Sequence, residues 1–289
     1  MIRVAGIQIC ANNNPVENLE ILADAMEQSQ ERGANLLVLP ENFACYGGSY
    51  RELAEEHADF LQSWLASQAS QLGVWVLGGT LPLHYRPDGS PVPGGRVRAA
   101  SLLYNPDGQQ VARYDKLHLF DAEVDDAQGR YCESDVFEPG DELVCARVGD
   151  ITLGLAVCYD LRFPAQARAL ADRGATLLVY PSAFTEVTGR AHWEVLLRAR
   201  AVETGCYVLG VNQCGRHSDV RSSYGHSMLC GPWGEVLVGL EDHPAVLCGD
   251  ILPRRVAEVR RQMPIHDHTR FLTGLPDDIR DHYIDHHSQ

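Results

Sequence analysis

The sequence predicts an α/β fold, a four-layer α-β-β-α sandwich built from two pseudo-symmetric halves, and three observations point to it. The first is a repeat: "GANLLVLPENFA", Gly33 to Ala44, returns almost letter for letter as "GATLLVYPSAFT", Gly174 to Thr185. The second is that three more segments recur in the same order. These are "VAGIQICANN" against "TLGLAVCYDL", "GVWVLGGTLP" against "GCYVLGVNQC", and "SLLYNPDGQQVARY" against "SMLCGPWGEVLVGL". The third is that stretches with helical apolar spacing separate these strands, so each half offers one sheet with helices on one side. Such a sheet must bury its other face, and two copies do so against each other.

Each element has its own signal. "PVENLEILADAMEQSQERGA" carries apolar residues at helical spacing, with Pro15 near its start and Gly33 at its end. The apolar run before Pro40 reads as a buried strand, and "NPDG" marks the turn of a hairpin. In the second half, "ITLGLAVCYDLRFPAQARAL" is a buried strand, a tight turn at Cys158 and a helix opened near Pro164. "GRAHWEVLLRARAVETG" is the long helix, and "GPWG" turns the second hairpin. Residues 1–115 and 151–250 thus form two copies of one unit within a single domain, 1–252. Residues 253–289 are a C-terminal extension expected to pack on a partner subunit, making a homodimer or larger homo-oligomer. Between the copies, the first part of Lys116 to Asp150 has neither period, and a loop of that length in a compact domain is uncommon unless functional.

Composition narrows the function. At a formal net charge of −15, the chain lacks the clustered Lys and Arg that bind nucleic acid or an anionic membrane. No apolar run is long enough to span a bilayer and the N-terminus lacks the regions of a secretory signal, so a cytoplasmic protein is expected. Nine scattered cysteines without a C-x-x-C pair suggest neither a disulfide framework nor a zinc site. The five histidines of the C-terminal tail show no fixed ligand spacing, and no metal is assigned to them.

Three residues gain meaning together. Cys158 ends a buried strand at a strand-to-helix elbow, where a side chain is held out at the sheet edge with free N–H groups behind it; alone, it reads as readily as a core cysteine. Glu41 follows a buried strand and a proline, a place where carboxylates also serve as caps. Lys116 opens the long connection, and a lysine there is most simply a surface residue. A cysteine attacks an acyl carbon as thiolate, however, and needs a base or a nearby cation. Glu41 fits the base, and Lys116 fits the charge that stabilises thiolate and oxyanion.

"LLVLPENF", "YDKLHLFD", "CESDVFEPG", "AVCYDLRFP", "YPSAF", "AHWEVLLRARAVE", "QCGRH" and "SYGHSM…GPWG" resemble the nitrilase superfamily of carbon–nitrogen hydrolases over nearly the whole chain. The resemblance implies a Glu-Lys-Cys triad of Glu41, Lys116 and Cys158, a second glutamate at Glu133, the Tyr159 N–H as oxyanion donor, and no cofactor. Within the superfamily, the Nit branch is most similar, and in it the members that hydrolyse deaminated glutathione more than the omega-amidases. That implies a small-molecule amide substrate carrying a carboxylate, for which Arg162, Arg190, Tyr46 and His192 are the candidate contacts. The sequence departs from the branch at Asp115, where arginine is commoner, and at Arg190, where proline is usual. A non-catalytic scaffold of the same fold would lack a member of the triad, and all three are present.

Overall fold

Both halves start with the same chain path, and its residues show why. The structure, a computed structural model, describes residues 1–271, 276 and 278–284. The first half runs β1 (Ile2–Gln8), α1 (Pro15–Glu31), β2 (Leu36–Val38), α2 (Tyr50–Glu56), α3 (Ala58–Leu72), β3 (Trp75–Leu83), β4 (Arg98–Tyr104) and β5 (Gln110–Asp115). Asn14 caps α1 by accepting from the Val16 N–H, with Pro15 at the first helical position. The connection holds a small ribbon, β6 (Asp121–Glu123) with β7 (Arg130–Cys132), and then β8 (Glu142–Val148). The second half follows as β9 (Ile151–Leu155), α4 (Pro164–Asp172), β10 (Leu177–Ser182), α5 (Glu186–Thr204) and β11 (Tyr207–Asn212). A ribbon of β12 (Cys214–Arg216) and β13 (Ser222–Tyr224) precedes β14 (Met228–Cys230), β15 (Val236–Gly239) and β16 (Ala245–Ile251).

Each half sends its last strand into the other half's sheet. β8 pairs antiparallel with β9, Cys145 opposite Gly154, and β16 pairs antiparallel with β1, Gly6 opposite Leu247. The sheets therefore run β16-β1-β2-β3-β4-β5 and β15-β14-β11-β10-β9-β8-β17, where β17 is Arg280–Ile284. This corrects the boundary read from the sequence: the first repeat extends to Val148, and about a third of the connection is strand. Val4, Leu36, Val38, Leu77 and Tyr114 pack into the layer between the sheets. Their neighbours Ala5, Ile7, Leu37 and Leu39 pack on Leu22 and Met26 of α1 and Leu61 and Leu65 of α3. This two-residue alternation buries both faces of the sheet, and each large aliphatic so placed contributes about 1.5–3 kcal/mol.

The described part of the C-terminal segment lies on its own chain. In α6 (Pro253–Gln262), Val256 and Val259 are buried, and Arg260 donates to the Ala175 carbonyl at 2.9 Å. The short α7 (Ile265–His268) places His266 Nδ1 2.7 Å from Asp172, and β17 adds a parallel strand beside β8. His286 and His287 of the tail lie outside the described residues. Among the described residues no cluster of three potential metal ligands occurs, and no helix is long and apolar enough to cross a membrane.

Candidate active site

Glu41 stands at the end of β2 because three neighbours fix the turn. Asn42 adopts a left-handed conformation, φ 55°, and its N–H donates to the Thr80 hydroxyl at 2.8 Å. The Glu41 carbonyl accepts from Gln213 Nε2 at 3.0 Å, a bond from the second half of the chain. Gly79 makes the close approach possible: a Cβ there would lie 2.0 Å from the Pro40 carbonyl oxygen. Lys116 leaves β5 directly, and its carbonyl accepts from the Gly140 N–H at 2.8 Å.

Cys158 opens a 3-10 turn, Cys158–Arg162, between β9 and α4, with φ at 47°. A cysteine at such a φ is strained by roughly 1–3 kcal/mol and persists only where its surroundings hold it. Asp160 supplies that hold. Its Oδ2 accepts from the Val157 N–H at 2.8 Å and from the Tyr114 hydroxyl at 2.6 Å; its Oδ1 accepts from the His118 N–H at 3.1 Å and lies 2.7 Å from His118 Nδ1. Gln166 donates to the Tyr114 hydroxyl at 2.9 Å. Tyr114 and His118 flank Lys116, so one carboxylate couples the elbow of the second half to the lysine of the first.

The four central side chains converge. Lys116 Nζ donates to Glu41 Oε1 at 2.8 Å and to both oxygens of Glu133 at 2.8 and 2.9 Å. Glu133 also accepts from the Phe120 N–H at 2.7 Å. The Cys158 thiol lies against the Glu41 carboxyl and meets the Ala183 N–H. Lys116 is fully buried and Glu41 nearly so, a cation shared by two carboxylates, the arrangement that makes a buried charge tolerable.

Burial pushes the Glu41 carboxyl above its ordinary range, against the pull of Lys116. Burial, with the Glu41 charge beside it, drives the Cys158 thiol well up. For Lys116 burial acts downward, but the Glu133 and Glu41 carboxylates overturn it and hold the ammonium well above its usual value. The cysteine therefore rests as a thiol despite the lysine, and its proton can leave only to a neighbouring base. The Tyr159 N–H finds no backbone acceptor among the described residues.

The remaining expected residues divide. Phe120, Tyr159, Arg162, Phe184, Thr185 and Thr188 line a cleft opening on Cys158. Arg162 lies 5.0 Å from the Phe184 ring centroid, and its Nη1 is 3.1 Å from His192 Nδ1. Tyr46 is buried, its hydroxyl accepting from Arg221 Nε at 3.0 Å. Arg190 is not in the cleft: its side chain is 72 % exposed and pairs with Glu186 one helical turn away. Helix geometry explains the correction, since residues 190 and 192 of α5 point about 200° apart; with His192 against Arg162, Arg190 faces out. Asp115 does not line the cleft either. It sits buried behind Lys116, held by Arg113 at 2.8 and 3.1 Å.

Sequence reasoning missed Tyr114, His118, Asp160, Gln213 and Arg221. Tyr114 and His118 bracket Lys116 at two-residue spacing, which on an extended chain returns to the same face, and Asp160 stands two residues past Cys158, whereas Gln213 and Arg221 lie far along the chain from every assigned group.

The carbon–nitrogen hydrolase family model matches residues 3–261. Deaminated glutathione amidase of Yersinia enterocolitica is 39 % identical over 277 residues, covering 94 % of each chain. The Homo sapiens protein of the same name is 39 % identical over 274 residues, covering 92 % of this chain and 82 % of its own. Among solved structures, Saccharomyces cerevisiae Nit3, of branch 10 of the nitrilase superfamily, superposes with a TM-score of 0.82 at 26 % identity, covering 93 % of this chain and 97 % of that one.

Proposed function

The chain belongs to the carbon–nitrogen hydrolase family, and from that premise we propose that it hydrolyses deaminated glutathione to 2-oxoglutarate and cysteinylglycine, with Cys158 as nucleophile. The observation that carries this reading is the convergence of Cys158, Glu41 and Lys116 in one buried cluster. The thiol proton passes to Glu41 as sulfur attacks the amide carbonyl, and Lys116 with the Tyr159 N–H receives the oxyanion. The oxyanion collapses, the C–N bond breaks, and Glu41 returns its proton to the departing nitrogen. Water then attacks the thioester while Glu41 takes its proton; as the C–S bond breaks, that proton goes back to sulfur. A carboxyl held above its ordinary range suits both duties near neutral pH. Glu133 orients Lys116 and balances its charge.

Arg162, next to the nucleophile and without a carboxylate partner among the described residues, receives the carboxylate of the 2-oxo acid portion. The chain works in the cytoplasm as a homo-oligomer. Supporting the oligomer, Val195 and Val202 of α5 are exposed beside Trp233, and Val187 of the same helix is exposed too. The test is kcat/KM on deaminated glutathione against 2-oxoglutaramate. Release of cysteinylglycine with the higher kcat/KM is expected; a preference for 2-oxoglutaramate, with ammonia released, overturns the substrate and makes the chain an omega-amidase.

A further inference from the structure

Arg221 is an arginine without an evident reason to be where it is. It follows the β12 end of the ribbon and is half-buried, in a chain with 39 acidic and 24 basic residues. Most arginines among the described residues find a carboxylate, as the buried Arg98 finds Glu138 and the buried Arg200 finds Glu203. Among the described residues none lies within 4.0 Å of the Arg221 guanidinium. Its surroundings are instead aromatic: Nε donates to the Tyr46 hydroxyl at 3.0 Å, and the guanidinium carbon lies 5.1 Å from the ring centroids of both Tyr46 and Tyr131. Aromatic faces hold a guanidinium in place but leave its charge uncompensated, and desolvating an unpaired cation is unfavourable. The outer nitrogens, which fit a carboxylate in two parallel bonds, have no protein acceptor among the described residues.

A row of rings connects this cation to Arg162 in the cleft. Arg162 lies 5.8 Å from the Tyr159 centroid, Tyr159 is 5.0 Å from Phe120, and Phe120 is 5.1 Å from Tyr131, over which Arg221 sits. Phe120 and Arg162 line the cleft on Cys158, so the row of rings leads from a wall of that cleft to Arg221. The side each serves follows from proton transfer. Glu41 protonates the departing nitrogen, so the leaving group lies on the Glu41 side, and Tyr46, whose hydroxyl feels the charge of Glu41, is bonded to Arg221.

Resting on the amidase reading above, we propose that Arg221 binds a carboxylate on the leaving-amine side of the substrate, so that the site selects amides carrying a carboxylate at each end. A dipeptide leaving group with a free C-terminus meets that demand, and ammonia does not. Arg221 is in this sense the specificity residue that separates hydrolysis of a dipeptide amide from hydrolysis of a primary amide.

The test uses the full-length protein with three substrates: deaminated glutathione, its C-terminal amide, and 2-oxoglutaramate. Wild type is expected to prefer the free acid over its C-terminal amide by about tenfold or more, the scale of one charge-assisted pair. Arg221→Gln should abolish that preference, chiefly by raising KM for the free acid, and Arg221→Lys should restore part of it. Because each ratio is taken on one protein sample, partial unfolding of a variant cancels. Equal handling of acid and C-terminal amide by wild type, or an equal loss on all three substrates in Arg221→Gln, overturns the proposal while leaving the amidase reading intact. No turnover of any of the three by wild type overturns both.

Discussion

The two halves share strands, crossover helices and an exchanged last strand, yet only one set of strand ends brings a glutamate, a lysine and a cysteine together. β1 and β9 both lead to a cysteine, Cys10 and Cys158. Cys158 has a positive φ and faces Glu41 and Lys116. Cys10 is not among the left-handed residues; its sulfur lies 3.5 Å from the Arg216 carbonyl oxygen and 3.9 Å from His217 Nδ1. Glu41, just past β2, and Ser182, the last residue of β10, each follow a proline, and the Ser182 hydroxyl donates to the Tyr180 carbonyl. The repeat that pairs Ser101 with Ser227 sets Lys116 against Asp242, an exposed carboxylate. The scaffold recurs in both halves; the glutamate after the strand, the lysine bonded to it and the cysteine at positive φ belong to one set of strand ends only.

The sharpest way to break this contrast is at the two cysteines. Cys158→Ala is expected to lower kcat by about 10⁴-fold or more, the scale of losing a covalent nucleophile, with unchanged thermal unfolding. A folded variant with full activity sinks the mechanism.

Lys116→Met comes next, with kcat/KM down about 10³-fold, as when an oxyanion contact is lost. It also leaves Glu41 and Glu133 buried without their cation, costing about 3–5 kcal/mol of stability. The pH dependence has a definite sign. Lys116 pulls the Glu41 pKa down against burial, so its removal raises that pKa further. A carboxyl whose folded pKa is raised contributes stability below its unfolded value, and this is lost as pH rises through the folded one. The variant's destabilisation should therefore grow with pH above 4.5. In wild type, the acid limb of kcat/KM should fall above that ordinary glutamate value. A limb at or below it contradicts Glu41 as the base.

Gly79→Ala probes why only one half places a glutamate beside the lysine. The second half has Val211 at the matching position of the repeat, where the first has Gly79. A Cβ on residue 79 meets the Pro40 and Leu39 carbonyl oxygens at 2.0 and 2.3 Å. The end of β2 must shift, at about 2–4 kcal/mol of stability, and Glu41 with it. A displacement near 1 Å lowers kcat about 10²-fold; denaturant melts and single-turnover rates measure the two separately.

Much of this was readable in the sequence, because strands, helices and the duplication leave local patterns, and the motifs around Glu41, Lys116, Glu133 and Cys158 are contiguous. What was not readable depends on partners distant in the chain. β8 and β16 are short apolar runs, and nothing local states that each joins the other half's sheet. Asp160 looks like any turn aspartate until Tyr114 comes to it from β5 and His118 from the connection that follows. Arg190 was misplaced for a simpler reason, since helix period alone sets it opposite His192.

The smallest expected effect tests the quiet side of the contrast. Cys10→Ala should change kcat/KM by less than about twofold and stability by under about 1 kcal/mol, as for a partly exposed small side chain. The reason is what surrounds the thiol. Burial raises the Cys10 pKa, and His217, the one imidazole near it, is itself held by burial down to about 4, so it is neutral at physiological pH and offers no positive charge. His217 is also occupied, with Nδ1 2.7 Å from the Ala11 carbonyl oxygen and Nε2 2.9 Å from the Ser223 hydroxyl. A thiol without a carboxylate to take its proton, or a cation to hold the thiolate, reacts slowly. Iodoacetamide should therefore leave Cys10 unlabelled on the timescale of inactivation. Labelling of Cys10 in step with loss of activity would show that the first half kept a reactive site of its own.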